Sequence, residues 1–244
     1  MTLRFAVVYE AIADLQVATE LADRVFVESI DWLDEYLLDH QRTWIREWSG
    51  APLTWKRIKR SALGSGFKVR GLYDEQPAKP DARAAHRAIL YLRYIIPELA
   101  GILLIRDQDN QTERREGLEQ ARRKLDRAFP VVVGLAVVER ECWVISGFDP
   151  KDQTEESRLA AERQRLGFDP RQQSEELTAC KNDKALRSPK RVLRELCGGD
   201  HDRESRCWRE TLIETLCSRG AKNGLGAYLA EVRDNLSKLI GHLS

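Results

Sequence analysis

Along this chain, short unbroken apolar runs alternate with apolar positions spaced three and four residues apart, and the two periods predict buried strands and amphipathic helices respectively. Residues 3–10, LRFAVVYE, form a β-branched run that reads as a buried strand. A helix over about 13–27 follows, with Leu15, Ala18, Ala22 and Val25 on one face. Residues 31–60, with DWLDEYLLDHQRTWIREW at their centre, read as a mostly helical insertion whose Trp32, Trp44 and Trp48 serve the core. The Gly- and Pro-rich stretch GSGFKVRGLYDEQPAKP is a loop, with a brief strand around 67–69. Asp81, directly after Pro80, is placed to cap a helix that buries Ala85, Ile89, Leu92 and Ile96. A strand over 101–106 comes next, then a helix over about 113–128 with Leu118, Ala121 and Leu125 inward. FPVVVGLAVVERECWVIS is a further strand, or a pair of strands, that reaches Glu139 and beyond.

Strand, helix, helix, strand, helix, strand is the rhythm of an α/β fold, and near-continuous apolar runs favour parallel strands covered on both faces. The expected architecture is a mostly parallel open sheet flanked by helices, with a helical insertion at about 31–60 and a helical extension after it. From residue 150 the pattern is helical: GFDP recurs at 147 and 167, and each copy reads as a turn in which Gly ends one element and Asp-Pro opens the next. In RSPKRVLRELCGG, Ser188 stands at the N-cap, Pro189 in the first turn and Gly198 just past the end. ESRCWRETLIETLCSRG and NGLGAYLAEVRDNLSKLIGHL are two more amphipathic stretches, the last with Leu225, Leu229, Val232 and Leu236 on one stripe. The expected division is therefore 1–149 for the sheet domain and 150–244 for the extension.

Composition narrows the function classes. With 40 Lys and Arg against 39 Asp and Glu, the chain as a whole does not attract nucleic acid electrostatically. Local patches differ: Lys56, Arg57, Lys59, Arg60, Lys68 and Arg70 crowd one stretch, and Arg114, Arg115, Arg122 and Arg123 another. A solvated helix surface is the simpler account of both. No apolar run approaches the ~20 residues that cross a bilayer, and the N-terminal MTLRFAVVYEAIAD has no signal-peptide pattern, so the expectation is a cytoplasmic protein without a membrane partner. The five cysteines lack any C-x-x-C pair, which argues for reduced thiols. Cys197, His201, Cys207 and Cys217 match no common zinc spacing, and Cys207 and Cys217 read more simply as small apolar residues on a helix face. No Walker A sequence and no nucleophile motif occurs.

The acidic residues carry the chemistry. The first strand ends at Glu10, the middle one at Asp107 and Asp109, and the late one runs into Glu139 and Glu141. In a parallel sheet these carboxylates share one edge, where ligands of such sheets bind. Crowded carboxylates repel unless a cation neutralises them, and Mg²⁺ takes one or two protein carboxylates while keeping waters and phosphate oxygens. Aspartates also end strands simply because they favour turns.

FAVVYEA, ILLIRDQDN and GLAVVERECWVISG, with PDARAAHRAILYL before the central strand, together resemble the Toprim family over about residues 3–146. The likeness is to a short stand-alone branch that includes RloB-like proteins and nucleases encoded beside ABC-type ATPases in bacterial anti-phage operons. The family's usual Glu-Gly is Glu10-Ala11 here, and about 30 additional residues follow the first helix. The resemblance implies a Toprim-like sheet and Mg²⁺-dependent (or Mn²⁺-dependent) hydrolysis of DNA or RNA phosphodiesters. It implies Glu10, Asp107 and Asp109 as catalytic metal ligands, with Glu139 and Glu141 as further candidates. Lys56, Arg57, Lys59, Arg60, Lys68, Arg70, Arg114 and Arg115 would then hold the phosphate backbone, and an ABC-type ATPase would be the partner protein. The rival expectation is a non-catalytic Toprim-like subunit that regulates or assembles with an ATPase.

Overall fold

A computed structural model describes residues 2–73, 75–124 and 129–243. In chain order the elements are β1 (Leu3–Val8), α1 (Ile12–Ser29), α2 (Leu38–Gln41), β2 (Arg42–Ile45), β3 (Glu47–Trp48), β4 (Ala51–Pro52), α3 (Trp55–Gly64), β5 (Leu72–Tyr73) and β6 (Gln76–Pro77). There follow α4 (Ala82–Ile95), β7 (Leu99–Asp107), α5 (Arg114–Arg123), β8 (Val131–Ala136), α6 (Arg140–Ser146), α7 (Gln153–Leu166) and α8 (Pro189–Cys197). The chain closes with α9 (His201–Arg209), α10 (Ile213–Arg219), α11 (Leu225–Glu231), a π-helical segment (Val232–Ser237) and α12 (Lys238–Gly241).

The principal sheet has four strands in the order β2-β1-β7-β8. β1 pairs in parallel with both β2 and β7, Val8 standing level with Leu104. Between β7 and β8 the hydrogen bonds Ile102 N–H to Pro130 O and Gln108 N–H to Ala136 O advance together along both strands, as parallel strands require. Phe5, Ala6, Val7, Val8, Ile102, Leu103 and Leu104 are wholly buried, which is why these runs carry no polar alternation. The fold is thus α/β, a mostly parallel sheet flanked by helices. Among the described residues no helix is long and apolar enough to cross a membrane.

The chain forms two compact units. The first comprises Met1–Arg106, Gln111–Gly134 and Ala230–Ser244. Within it the segment 31–60 is only partly helical: it contributes β2, the edge strand of the sheet, and the β3–β4 hairpin besides α2 and α3. β2 is pinned by its side chains. Arg42 forks onto the Asp23 carboxylate of α1 at 2.7 Å, and Trp44 donates its Nε1–H to the same carboxylate at 3.0 Å while stacking on Phe26 at 5.9 Å. Trp32, expected inside, is exposed. The strand expected at 67–69 is absent, its place in the loop taken by the small β5–β6 hairpin. α4 buries Ala85, Ile89 and Leu92 as its spacing predicts, and Ile96 just beyond its end. Leu125, expected to face inward from α5, lies outside the described residues.

The second unit comprises Asp107–Asn110 and Leu135–Leu229. The late strand does not extend to Glu139. β8 stops at Ala136, and the chain turns into α6, with Glu139 at its N-cap. The turn is made by Val138, whose φ of 72° is a left-handed conformation that branched side chains rarely adopt. α8 has Ser188, Pro189 and Gly198 in the three positions expected of them. The first of the later amphipathic stretches breaks into α9 and α10 around Thr211, whose hydroxyl donates to Gly147 O at 2.6 Å. Both GFDP copies follow a helix. Gly167 ends α7 at φ 82°, whereas at Gly147 a side chain would strike Cys207 O at 2.0 Å. Arg171 holds the aspartates of both copies, through Nη1 to Asp149 at 3.0 Å and Nη2 to Asp169 at 3.0 Å. Asp169, also bonded by Arg163, has its pKa drawn down to about 2 by these guanidinium contacts despite burial.

Candidate functional site

The expected site residues divide between the two units. Glu10, just past the end of β1, belongs to the first; Asp107, Asp109, Glu139 and Glu141 belong to the second.

In the first unit Glu10 is held by a cation. Arg106, on β7 and two positions beyond the Leu104 that faces Val8, places Nη1 2.5 Å from the Glu10 carboxylate. Its Nε reaches Asp81 at 3.1 Å, and Asp81 in turn receives Arg114 Nε at 2.7 Å. The guanidinium of Arg106 also lies over the Trp55 ring, 5.1 Å from its centroid, and Trp55 Nε1–H donates to Ile105 O at 2.8 Å. Acids and bases therefore alternate, Glu10, Arg106, Asp81, Arg114, and opposite charges offset one another along the row. Two expectations change here. Asp81 does stand at the N-cap of α4, but in the left-handed region (φ 64°) and with its side chain committed to the arginines instead of the helix N-terminus. Arg114, expected at a phosphate, is buried in this row, whereas Arg115 on the same helix is half-buried. Lys56, Arg57, Lys59 and Arg60 are exposed on α3, whose buried face is Trp55, Ile58 and Ala62; Lys68 and Arg70 are exposed in the loop that follows.

In the second unit the Asp-x-Asp pair is laced to the start of α6. Gln108 N–H donates to Ala136 O at 2.7 Å and Asp109 N–H to Val138 O at 2.9 Å. Asp107 Oδ1 accepts the Arg140 N–H at 2.8 Å, so its carboxylate does the work of a helix cap where Glu139, at the cap position, makes no side-chain cap bond. Asp109 and Val138 both have positive φ, 51° and 72°. Such strained residues cost on the order of 1–3 kcal/mol each and concentrate where a local conformation serves function.

The carboxylates gathered there are unequal. Glu141 is paired with Arg140 at 2.7 Å. Glu139 is buried, with Lys190 Nζ at 3.9 Å. Burial raises the Glu139 pKa above the ordinary carboxylate value; Lys190 opposes the shift, and Glu141, Asp109 and Asp183 reinforce it. Negative charge is therefore concentrated around a partly desolvated carboxyl. The donor set is of the oxygen type that hard divalent cations take, and a dication beside Glu139 would relieve both the burial cost and the repulsion. Among the described residues, however, no three or more His, Cys, Asp or Glu side chains form a group poised to hold a metal ion. The zinc grouping is not assembled either: His201 is exposed and pairs with Glu204 at 3.4 Å, while Cys197 and Cys207 are buried.

Trp143 sits on α6, not on a strand. It is buried, stacks on Tyr228 at 5.1 Å and donates Nε1–H to Asn223 O at 3.0 Å, so it is a core residue. Asn223 is the residue that the sequence did not announce. Wholly buried, it donates to Cys142 O, Ser146 Oγ and Ser174 Oγ at 3.0, 2.7 and 2.8 Å, and its own carbonyl accepts Val137 N–H at 2.8 Å. It thereby fixes both the segment that enters α6 and the body of that helix. A buried Asn with this many partners follows no periodicity, and its only trace in the sequence is the turn-like KNG at 222–224.

Searches against known proteins leave the likeness at the level of motifs: no family profile, no curated protein and no solved structure matches this chain.

Proposed function

We propose that this protein is a metal-dependent nuclease that hydrolyses nucleic-acid phosphodiesters. The observation that carries the reading is the buried Glu139 at the start of α6, whose pKa burial raises and which Glu141 and Asp109 lie near enough to raise further. The ordered approach of Asp107 to the helix N-terminus and the two positive-φ residues add support. The Toprim resemblance, which marks Asp107 and Asp109 independently of any coordinates, points to the same residues.

Asp107 and Asp109, the Asp-x-Asp pair, are the residues that would hold the ion. A bound divalent cation supplies charge neutralisation at a phosphate and a water acidified toward neutral pH. Asp107 orients the start of α6 through the Arg140 N–H, which keeps the cluster in one arrangement. Glu139, whose carboxyl burial holds above the ordinary carboxylate pKa, is the group that would accept a proton from the attacking water. Glu10 is a candidate for the same chemistry only if Arg106 yields it.

A second reading has one observation in its favour: Glu10 and Glu141 already have guanidinium partners, as acids with a purely structural role would. The pair is separated by Asp107→Asn. Asn retains an oxygen for the Arg140 N–H but not the charge, so the variant is expected to melt within about 1 kcal/mol of the parent, the scale of a helix cap, while losing Mg²⁺- or Mn²⁺-dependent cleavage of DNA and RNA. Cleavage at the parent's rate in Asp107→Asn and in Asp109→Asn would remove the nuclease reading.

A further inference from the structure

The first unit contains a cavity of about 480 Å³ between α3 and α4, lined by Lys59, Lys79, Asp81, Arg83 and Arg87, with Leu63 at its edge. Asp81, its carboxylate, is already held by Arg106 and Arg114, and Lys79 is paired with Glu113. The cations that set the character of the walls are therefore Lys59 from α3 and Arg83 and Arg87 from α4. Lys56, Arg57 and Arg60 extend the same sign of charge over the exposed face of α3.

The basic wall leads into aromatic surface. Arg83, Arg87, Tyr91 and Tyr94 follow one another on α4 at spacings of four, four and three residues, which places them on a single stripe. Tyr94 is 77 % exposed, an unusual position for a large ring on a structured helix. It is not loose: Phe67 meets Tyr94 at 5.5 Å and Tyr91 edge-on at 5.7 Å. Phe67 is itself tied to both helices, its N–H donating to Ala62 O at 2.9 Å and its carbonyl accepting Arg87 Nε–H at 3.1 Å. From Arg83 to Tyr94 the stripe is about 16 Å long at ~1.5 Å per helical residue. Cations that track a backbone, followed by a supported and exposed ring, are what a single strand requires, because its bases are free to stack. Duplex DNA would use the cations and leave the ring idle.

We infer that the α3–α4 groove is a binding track for single-stranded nucleic acid, with phosphates along Lys59, Arg83 and Arg87 and a base on Tyr94. The inference rests on the nuclease reading for its biological sense, but it concerns a different surface and is tested without cleavage. The experiment is fluorescence anisotropy of the full chain with a labelled oligothymidylate and with a duplex of the same length, in EDTA, over a range of NaCl. The single strand is expected to bind more tightly than the duplex. Lys59→Gln with Arg83→Gln, both at exposed positions, should weaken it about tenfold or more and reduce the slope of log K against log salt by about 1.4, the value for two single-strand contacts. Tyr94→Ala should weaken the single strand about tenfold and leave the duplex unchanged, with Tyr94→Phe restoring binding. Because binding is read in EDTA, without cleavage, failure of the track and failure of the nuclease are distinguishable. No measurable binding, a preference for the duplex, or an affinity and salt slope unmoved by Lys59→Gln with Arg83→Gln would overturn the proposal.

Discussion

Arg106→Met tests whether Glu10 is held in place by charge. Arg106 makes ion pairs with Glu10 at 2.5 Å and Asp81 at 3.1 Å and a cation–π contact with Trp55 at 5.1 Å, at 18 % side-chain exposure. Water still reaches part of this row, Glu10 being 32 % exposed, so each pair is discounted to about 0.5–1 kcal/mol. The ring contact adds roughly 0.5–1 kcal/mol, and methionine keeps most of the buried stem. The sum is about 2 kcal/mol, or a fall in Tm of roughly 4–8 °C for a chain of this size. Thermal and urea melts of the parent and Arg106→Met at low salt measure it, and the gap should narrow in 1 M NaCl because the lost interactions are partly screened. Glu10→Gln, which removes one pair only, should cost less than about 1 kcal/mol. An Arg106→Met protein as stable as the parent would show that the charge of Arg106 does not hold Glu10 in place.

Glu139→Gln should stabilise the protein at neutral pH. Because its folded pKa is raised, the carboxyl favours folding below its unfolded pKa of about 4.3, and that contribution is lost as pH rises through the higher folded value. Melts from pH 4 to 8 in EDTA should show the two proteins converging at the acid end and Gln ahead at the neutral end; a gap independent of pH refutes the assignment. Asn223→Ala should cost about 3 kcal/mol, since the buried Leu225 N–H (3.0 Å from Asn223 Oδ1) loses its partner and Cys142 O, Ser146 Oγ and Ser174 Oγ each lose a donor. Urea denaturation checks this, and a loss below about 1 kcal/mol would show that the surrounding groups find other partners.

Which parts of this were legible follows from what each residue had to do. β1 and β7 are buried on both faces, so their apolar runs announce them without ambiguity. β2 escaped because an edge strand needs only one sheet neighbour, and RTWI presents a charge and a ring that are stabilised by Asp23, Phe5 and Phe26 far away in sequence. The end of β8 was hidden for a different reason. The one turn former in VVVGLAVVE, Gly134, lies inside the strand, and the chain turns instead at a branched valine held by the Asp109 N–H bond to its carbonyl. Glu139 and Glu141 were recognisable as candidate acids, but their helix was not. Asp81 had the expected position and a different employment, since its arginine partners lie 25 and 33 positions away in sequence.

The clamp on Arg171 has a mechanical meaning. Asp149 follows α6 and Asp169 follows α7, and Arg219 at the end of α10 joins Asp149 at 2.9 Å, so three helix ends converge on two carboxylates bridged by one guanidinium. The two short look-alike stretches are therefore coupled parts of one knot. A lesion at position 171 would cut the tie between them, while Arg219 still holds Asp149 and Arg163 still holds Asp169.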